Sequence, residues 1–76
     1  MTHTEVNGVE MVAVESSAVA AIGHSGDTLY VETARGALYV YHGVSEAIYV
    51  ALGTASSVGS FYAKNIARAF PFEKIG

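Results

Sequence analysis

The sequence predicts an α+β domain in which a three-stranded antiparallel meander is followed by two α-helices packed on one face of the sheet (β-β-β-α-α). Two patterns along the 76 residues support this order. Apolar and β-branched residues alternate as far as Val44, as in strands, whereas apolar residues after Ser45 recur every three or four positions, as in helices. The third observation is that the chain is short. A sheet of only three strands buries a face when another layer covers it, and the two predicted helices supply that layer.

The first predicted strand extends from Met11 to His24, MVAVESSAVAAIGH. The spacing of its apolar residues changes from two to three after the serine pair, so we expect a bulge or bend near Ser16 and Ser17. An Ala-rich helix is the competing interpretation, which the valines and Gly23 disfavour. The segment Gly23–Asp27, GHSGD, is predicted to be a loop because glycine and aspartate favour turns.

The next two strands, TLYVET and ALYVYH, are predicted to form a hairpin whose turn contains Gly36. The length of the turn decides the register. If the loop is Ala34–Gly36, Val31 faces Tyr39 across the hairpin. If the loop is Arg35–Gly36, the register slips by one residue and Val40 takes that place. The sequence leaves both registers open.

Tyr39 and Tyr41 are two residues apart and therefore point to the same face of their strand. Exposed rings in this arrangement could stack on the bases of a nucleic acid, but such platforms are flanked by Lys and Arg. Here the neighbouring strand residues are apolar or acidic, and a basic side chain occurs only at the turn, Arg35. The pattern favours a role for both rings in the wall of a small core.

Two helices are predicted after the third strand. Ser45 is the N-cap of the first helix, which ends near Gly53, and Ser57 is the N-cap of the second, which continues until Pro71 stops it. The apolar stripes of the two helices contain Ala47, Ile48, Leu52 and Ala55 in the first, and Phe61, Ile66, Ala69 and Phe70 in the second.

The composition limits the environment and the partners. Charged residues make up 14% and apolar residues 51%, so we expect apolar surface that stays exposed or that a second copy, as in a homodimer, or another partner covers. The alternative is that the many alanines, which are tolerated on a surface, account for the apolar share. The net charge of −3 disfavours duplex nucleic acid. The absence of cysteine excludes disulfides, and together with an N-terminus unlike a signal peptide it predicts a cytoplasmic protein. Residues 1–10 are predicted to be a flexible N-terminus and 11–76 a single domain.

Elements between Val14 and Phe70 resemble the KTSC domain, a small module named for the C-terminus of some lysyl-tRNA synthetases and also found free-standing in bacteria and phages. They are VESSAVAAIGH, LYV followed by a glycine, the Tyr-x-Tyr pair, and ASSVGSFY with the isoleucine and phenylalanine beyond it. The residues that carry the resemblance most directly are Ser16, Ser17, Gly36, Tyr39, Tyr41, Tyr49, Leu52, Gly59, Phe61 and Ile66.

The resemblance implies a binding module from a bacterium or phage, in a family whose function is unestablished and for which RNA binding has been suggested. The chain departs from the family pattern at four positions. Ser45 stands for a usual Pro, Ala63 for a common Asn, Ala67 for an Arg and His24 for a Tyr. The loss of the Asn and the Arg removes polar groups with which the second helix would contact an RNA phosphate.

No motif predicts catalysis, a metal site or a cofactor. His3, His24 and His42 and the serines occur in no arrangement that would build a nucleophile with its base, and SVGS lacks the order of a Gly-x-Ser-x-Gly element. No His-x-x-x-His, His-x-x-x-Glu or Asp-rich loop offers the spacing of zinc or calcium ligands. We therefore predict that the protein is not an enzyme.

The basic side chains are the candidates for contact with a partner or a nucleic acid. Lys64 and Arg68 are four residues apart on the second predicted helix with Asn65 beside them, and Arg35 and Lys74 lie elsewhere in the sequence. The preferred hypothesis is a non-catalytic module for protein interaction or regulation. The alternative is an RNA-binding domain that uses the second helix and the sheet aromatics.

Overall fold

The computed structural model describes residues 5–76, which form an α+β domain with seven strands in two antiparallel sheets. The strands are β1 Glu5–Val6, β2 Val9–Glu10, β3 Val12–Ala13, β4 Val19–Ser25, β5 Thr28–Thr33, β6 Leu38–His42 and β7 Phe72–Lys74. Helix α1 is Glu46–Thr54, and helix α2, Val58–Phe61, continues into a π-helical turn, Tyr62–Ile66. The main sheet has the order β3-β4-β5-β6-β7, so the predicted three-stranded meander forms its centre and the prediction missed both edge strands.

The prediction of one strand from Met11 to His24 is wrong. The chain reverses between β3 and β4, which pair antiparallel with Val12 opposite Ile22. Ser16 makes the reversal, because its Oγ accepts hydrogen bonds from the backbone N–H groups of Ala18 and Val19. The change of apolar spacing at the serines therefore marks a turn between two strands.

The predicted loop Gly23–Asp27 is also shorter in the structure. Strand β4 continues to Ser25, and Gly26–Asp27 alone makes the turn to β5, with Gly26 at a φ of +61° as tight hairpin turns require. Gly23 lies inside the strand for a steric reason. A Cβ at Gly23 would lie 2.7 Å from the carbonyl oxygen of Glu10, so only glycine lets the preceding chain cross β4 this closely.

The β5–β6 hairpin has the first of the two registers left open by the sequence. Val31 pairs with Tyr39 and Leu29 with Tyr41, on either side of a three-residue loop, Ala34–Gly36. Gly36 has a φ of +89°, which a three-residue hairpin loop needs at this position. The side-chain and backbone oxygens of Thr33 also accept hydrogen bonds within the turn, from Ala37 and Gly36.

Both helices begin where the sequence predicts. The Ser45 and Ser57 hydroxyls accept hydrogen bonds from the backbone N–H groups of Ile48 and Ser60, the third residues of the two helices. The second helix does not run regularly to Phe70. Its i→i+5 bond from Ala67 N–H to Tyr62 O, 2.9 Å, marks a π-helical turn after which the chain leaves the helix for β7.

A hairpin of β1 and β2 packs on the sheet face opposite the main core. Asn7 and Gly8 make its turn, both with positive φ. Val6 and Met11 are buried there against Ala21. The predicted flexible N-terminus, 1–10, thus contains this hairpin at 5–10, and residues 1–4 lie outside the described part of the chain.

The main core lies between the sheet and the helices. Its buried residues are Val19, Ile22, Leu29, Val31, Tyr41, Val44, Leu52, Val58 and Ile66. Each strand contributes alternate residues, and each helix contributes the buried members of its apolar stripe. The charged residue Glu32, 1% exposed, is buried on the opposite sheet face, since it alternates with Val31 along β5.

Candidate functional site

Four aromatic rings form a row across the helix-facing side of β6 and β7. Tyr41 contacts Tyr62 of the helical layer, with ring centroids 5.8 Å apart and an edge-to-face geometry. On the other side, Phe72 lies 5.6 Å from Tyr41 and 5.9 Å from Tyr39. Strand register makes this row, because Tyr41 pairs with Phe72 and both side chains point to the same face. The row runs from the core to the edge of the sheet.

Tyr41 is the buried end of this row and is 2% exposed. Its hydroxyl forms a hydrogen bond with the hydroxyl of Tyr62, which fixes the helical layer over this part of the sheet. Burial, with the hydrogen bond to Tyr62, raises the pKa of the Tyr41 hydroxyl well above its ordinary value. Tyr39 is half-buried against the same core. The tyrosine pair is thus mainly a wall of the core, as its sequence neighbours predicted.

Phe72 is the exposed end of the row. It is 53% exposed, although it lies beside Tyr41 in the sheet. Lys74, on the same face, pairs with Tyr39 and is exposed. Ile75, 43% exposed, follows on the opposite face of the strand. Two apolar side chains and one cation therefore flank the backbone of β7.

The backbone of β7 has one paired side and one outer side. His42 N–H donates to Pro71 O, 3.0 Å, and Ile75 N–H donates to Leu38 O, 2.8 Å. Since hydrogen-bonded residues alternate along an antiparallel strand, Phe72 and Lys74 direct their N–H and C=O groups away from β6. Within residues 5–76, no strand pairs with this outer side. We call these outward backbone groups, with the side chains of Phe72, Lys74 and Ile75, the β7 edge surface.

The predicted contact residues lie in three places. Lys64 and Asn65 lie in the π-helical turn with Arg68 just beyond it, Arg35 lies in the β5–β6 turn, and Lys74 lies on β7. All five are exposed, and none of the four basic side chains forms an ion pair with another residue of the described chain. The structure brings Lys74 beside the tyrosine pair, which its position in the sequence did not suggest.

Two of the elements that carry the family resemblance meet in space. Gly59, at the start of α2, lies against the β3–β4 turn, so that a Cβ there would lie 2.9 Å from Ser16 Oγ and 3.4 Å from Ala18 Cβ. This contact brings the serine element and the Ala-x-Ser-x-Gly element together in the fold. Of the other resemblance residues, Leu52 and Ile66 are buried, Phe61 packs against the same core, and Ser17 is exposed.

The two histidines in the described chain have structural contacts. His24 stacks on Tyr49, with centroids 5.3 Å apart, and its Nε2 is hydrogen-bonded to the carbonyl of Val44. Since a carbonyl only accepts, Nε2 carries the proton and ties β4 to the start of α1. His42 pairs with Glu73 at the surface, with Nε2 and Oε1 3.0 Å apart. The third candidate, His3, lies outside the described residues.

Residues 5–76 contain no group of three or more His, Cys, Asp or Glu side chains placed to hold a metal ion. Among the same residues, no helix has the length and apolar character needed to cross a membrane.

Sequence reasoning missed Phe72 and Ile75 because it ended the second helix at Pro71 and predicted no strand after it. A signal was present in FEKI, where apolar and charged residues alternate, but four residues are too few to predict a strand firmly. The position of strand β7 beside β6 depends on tertiary packing.

Comparison with known proteins agrees with the fold described above. The family model of the KTSC domain matches residues 15–70. The crystal structure of a KTSC domain protein from Yersinia pestis is similar, with a TM-score of 0.84 and 30% sequence identity over 90% of this chain and 99% of that one. No curated protein matches the chain. On the match of its family model, the chain belongs to the KTSC domain family.

Proposed function

We propose that this protein is a small non-catalytic interaction module, and that it binds an extended protein segment as an added strand along the β7 edge surface. The observation that carries this proposal is that the N–H and C=O groups of Phe72 and Lys74 point away from β6. The exposed apolar side chains of Phe72 and Ile75 flank these groups on the two faces of the strand. An extended peptide that adds to a sheet edge gains backbone hydrogen bonds, and its alternate side chains provide specificity.

The chemistry around the edge suits a protein ligand. Phe72 on one face and Ile75 on the other would contact side chains on both sides of an incoming strand. Lys74 is the one cation of the β7 edge surface, and the nearest acidic group along the strand, Glu73, already pairs with His42. We therefore expect a ligand with apolar residues three positions apart, one for each face of the strand. A sequence without cysteine fits action in a reducing, cytoplasmic compartment.

A library of random peptides displayed on phage tests this proposal. Peptides selected on the wild type should bind Lys74→Ala and fail to bind Lys74→Pro, because proline removes the outward N–H group while alanine removes only the side chain. Proline at this position spares the bonds to β6, which residues 73 and 75 make. Selection of no peptide, or of peptides that bind both variants equally, would contradict the proposal.

The second candidate function is single-stranded RNA binding, and one observation favours it. Lys74 lies opposite Tyr39 and on the same face as Phe72, so a cation stands beside two rings that are at least partly exposed. Rings next to a basic side chain can stack on bases while the cation contacts a phosphate.

Titration of labelled poly(U) at low and moderate salt tests the RNA candidate. If RNA binds here, Phe72→Ala and Lys74→Ala should each weaken binding more than Lys64→Ala and Arg68→Ala do. The dependence on salt should also become shallower in Lys74→Ala, because one phosphate contact is lost. No binding at low salt would exclude the RNA candidate, since electrostatic attraction is strongest there.

A further inference from the structure

We infer that a second copy of this chain can occupy the β7 edge surface, with the two β7 strands antiparallel about a two-fold axis at Glu73. This inference rests on the proposed function and identifies one ligand for the same edge. Pairing of the two β7 strands joins the main sheets of both copies into one continuous sheet and covers exposed apolar surface in a chain with only 14% charged residues.

The backbone of β7 is complementary to itself in this register. Phe72 and Lys74 are the residues whose N–H and C=O groups point outward, so each must face an outward residue of the other copy. With Glu73 opposite Glu73, Phe72 of each copy lies opposite Lys74 of the other. All the outward groups of the three-residue strand then find partners.

The side chains are complementary in the same register. Lys74 of each copy lies next to Phe72 of the other on the helix-facing side, where an ammonium group can contact the face of an aromatic ring. Ile75 of each copy lies next to Pro71 of the other on the opposite side, and proline is tolerated there because its nitrogen faces β6. The contacts occur twice, as a two-fold interface requires.

The neighbouring registers are less favourable. A shift that places Lys74 opposite Lys74 apposes two like charges in a hydrogen-bonded pair. The opposite shift, with Phe72 against Phe72, places Lys74 against Phe70, which packs into the core of its own copy. The chosen register also apposes two like charges, the Glu73 carboxylates, but each of them is hydrogen-bonded to His42 Nε2 of its own copy, whereas Lys74 has no ion-pair partner among the described residues. We therefore expect a dimer that forms and dissociates with concentration.

Sedimentation velocity over a range of concentrations tests for the dimer. The wild type should shift from monomer to dimer, and Lys74→Pro should remain monomeric at every concentration. Lys74→Ala is the matched control, and its association should weaken by about tenfold because two cation–π contacts are lost and the backbone bonds remain. A wild type that is monomeric throughout, or a Lys74→Pro variant that dimerises normally, would overturn the inference.

Disulfide cross-linking tests the register and does not depend on the proline variant. The chain contains no cysteine, so Glu73→Cys introduces a single thiol. Residues that face each other in a non-hydrogen-bonded pair have Cα atoms about 4.5 Å apart, within the range of a disulfide. Glu73→Cys should therefore cross-link under mild oxidation, whereas Lys74→Cys, displaced from its counterpart, should not. Equal cross-linking of the two variants would overturn the register.

The two proposals fail in different ways. Suppose that the wild type stays monomeric while selected peptides bind it and do not bind Lys74→Pro. The inference of a dimer is then wrong, and the proposed interaction module stands. If the dimer persists in Lys74→Pro and no selected peptide depends on the edge, both proposals are wrong.

Discussion

Tyr41 and Phe72 are direct neighbours in the sheet and yet belong to different environments. Their rings lie 5.6 Å apart on the same face, but Tyr41 is 2% exposed and Phe72 is 53% exposed. The difference arises because Tyr62 covers Tyr41, whereas Phe72 lies beyond the helical layer on the edge strand. Whether an aromatic ring on this face of the sheet is buried or exposed therefore depends on whether the helical layer covers it.

This contrast separates the residues that hold the fold together from those offered for binding. Two of the elements that carry the resemblance to the family meet under the helical layer, where the β3–β4 turn contacts α2. The β7 edge surface lies wholly after residue 70, where the match to the family model ends. We expect substitutions at the two ends to affect different measurements, stability at the covered end and association at the edge.

The largest expected effect is the loss of stability when the covered ring is removed. Tyr41→Ala should lower the free energy of unfolding by about 3–5 kcal/mol, because a buried ring leaves a cavity under the helical layer. Phe72→Ala is the matched control and should cost less than about 1 kcal/mol, as usual for exposed positions. Urea denaturation measures both values, and similar losses for the two variants would remove the contrast.

Gly59→Ala tests the attachment of the helical layer. The added Cβ would lie 2.9 Å from Ser16 Oγ, so the β3–β4 turn or α2 must shift, at a cost of about 1–3 kcal/mol. Gly53→Ala in α1 is the control, because its Cβ would lie 3.5 Å from Ile22 Cδ1, an ordinary contact. That variant should be neutral or more stable by up to about 1 kcal/mol, since alanine favours helices. Equal destabilisation of the two variants would contradict the close contact.

Alkaline pH should weaken the covered end. The folded state holds the Tyr41 hydroxyl neutral, since burial and the Tyr62 hydroxyl raise its pKa, whereas in the unfolded chain it ionises at about pH 10. The stability it contributes is therefore complete below about pH 10 and decreases as the pH rises further. Tyr41→Phe should show a shallower decrease in urea denaturation at increasing pH. An unchanged slope would contradict the contribution of this hydroxyl.

The smallest expected effect concerns the attachment of β7 by its surface ion pair. Glu73→Gln removes the carboxylate whose Oε1 lies 3.0 Å from His42 Nε2, and both side chains are exposed. The variant should change the free energy of unfolding by less than about 0.5 kcal/mol, because exposed ion pairs are weak. Thermal denaturation at neutral pH provides the measurement, and a larger loss would mean that backbone pairing holds β7 less firmly than its register indicates.

Local chemistry made much of the fold predictable from the sequence. Ser45 and Ser57 were predicted as caps from residue type and position alone, and both hydroxyls accept the expected bonds. The predicted placement of Tyr41 in the core is confirmed. The N-terminal hairpin could have been predicted as well, because Asn7–Gly8 between valines is a strong hairpin signal.

Tertiary packing decided the features that the sequence did not predict. A two-residue strand such as β3 has too short a pattern to separate from β4, and the Ser16 turn between them resembles a bend. The π-helical turn at Tyr62–Ile66 interrupts the regular helix, but no residue type in it is distinctive enough to predict the interruption. Strand β7 depends on pairing with β6, so the sequence did not predict that Lys74 lies opposite Tyr39.

Amide hydrogen exchange followed by NMR at low and high protein concentration tests the central claim, that the outer edge of β7 binds a strand. Residues 73 and 75 donate to β6, so their amides should be protected at both concentrations. Phe72 and Lys74 should exchange rapidly in dilute solution and become protected when a second copy pairs with the edge. Rapid exchange of both amides at every concentration would contradict the second copy as the ligand, and protection of Phe72 and Lys74 already in the dilute monomer would contradict the free edge on which both proposals rest.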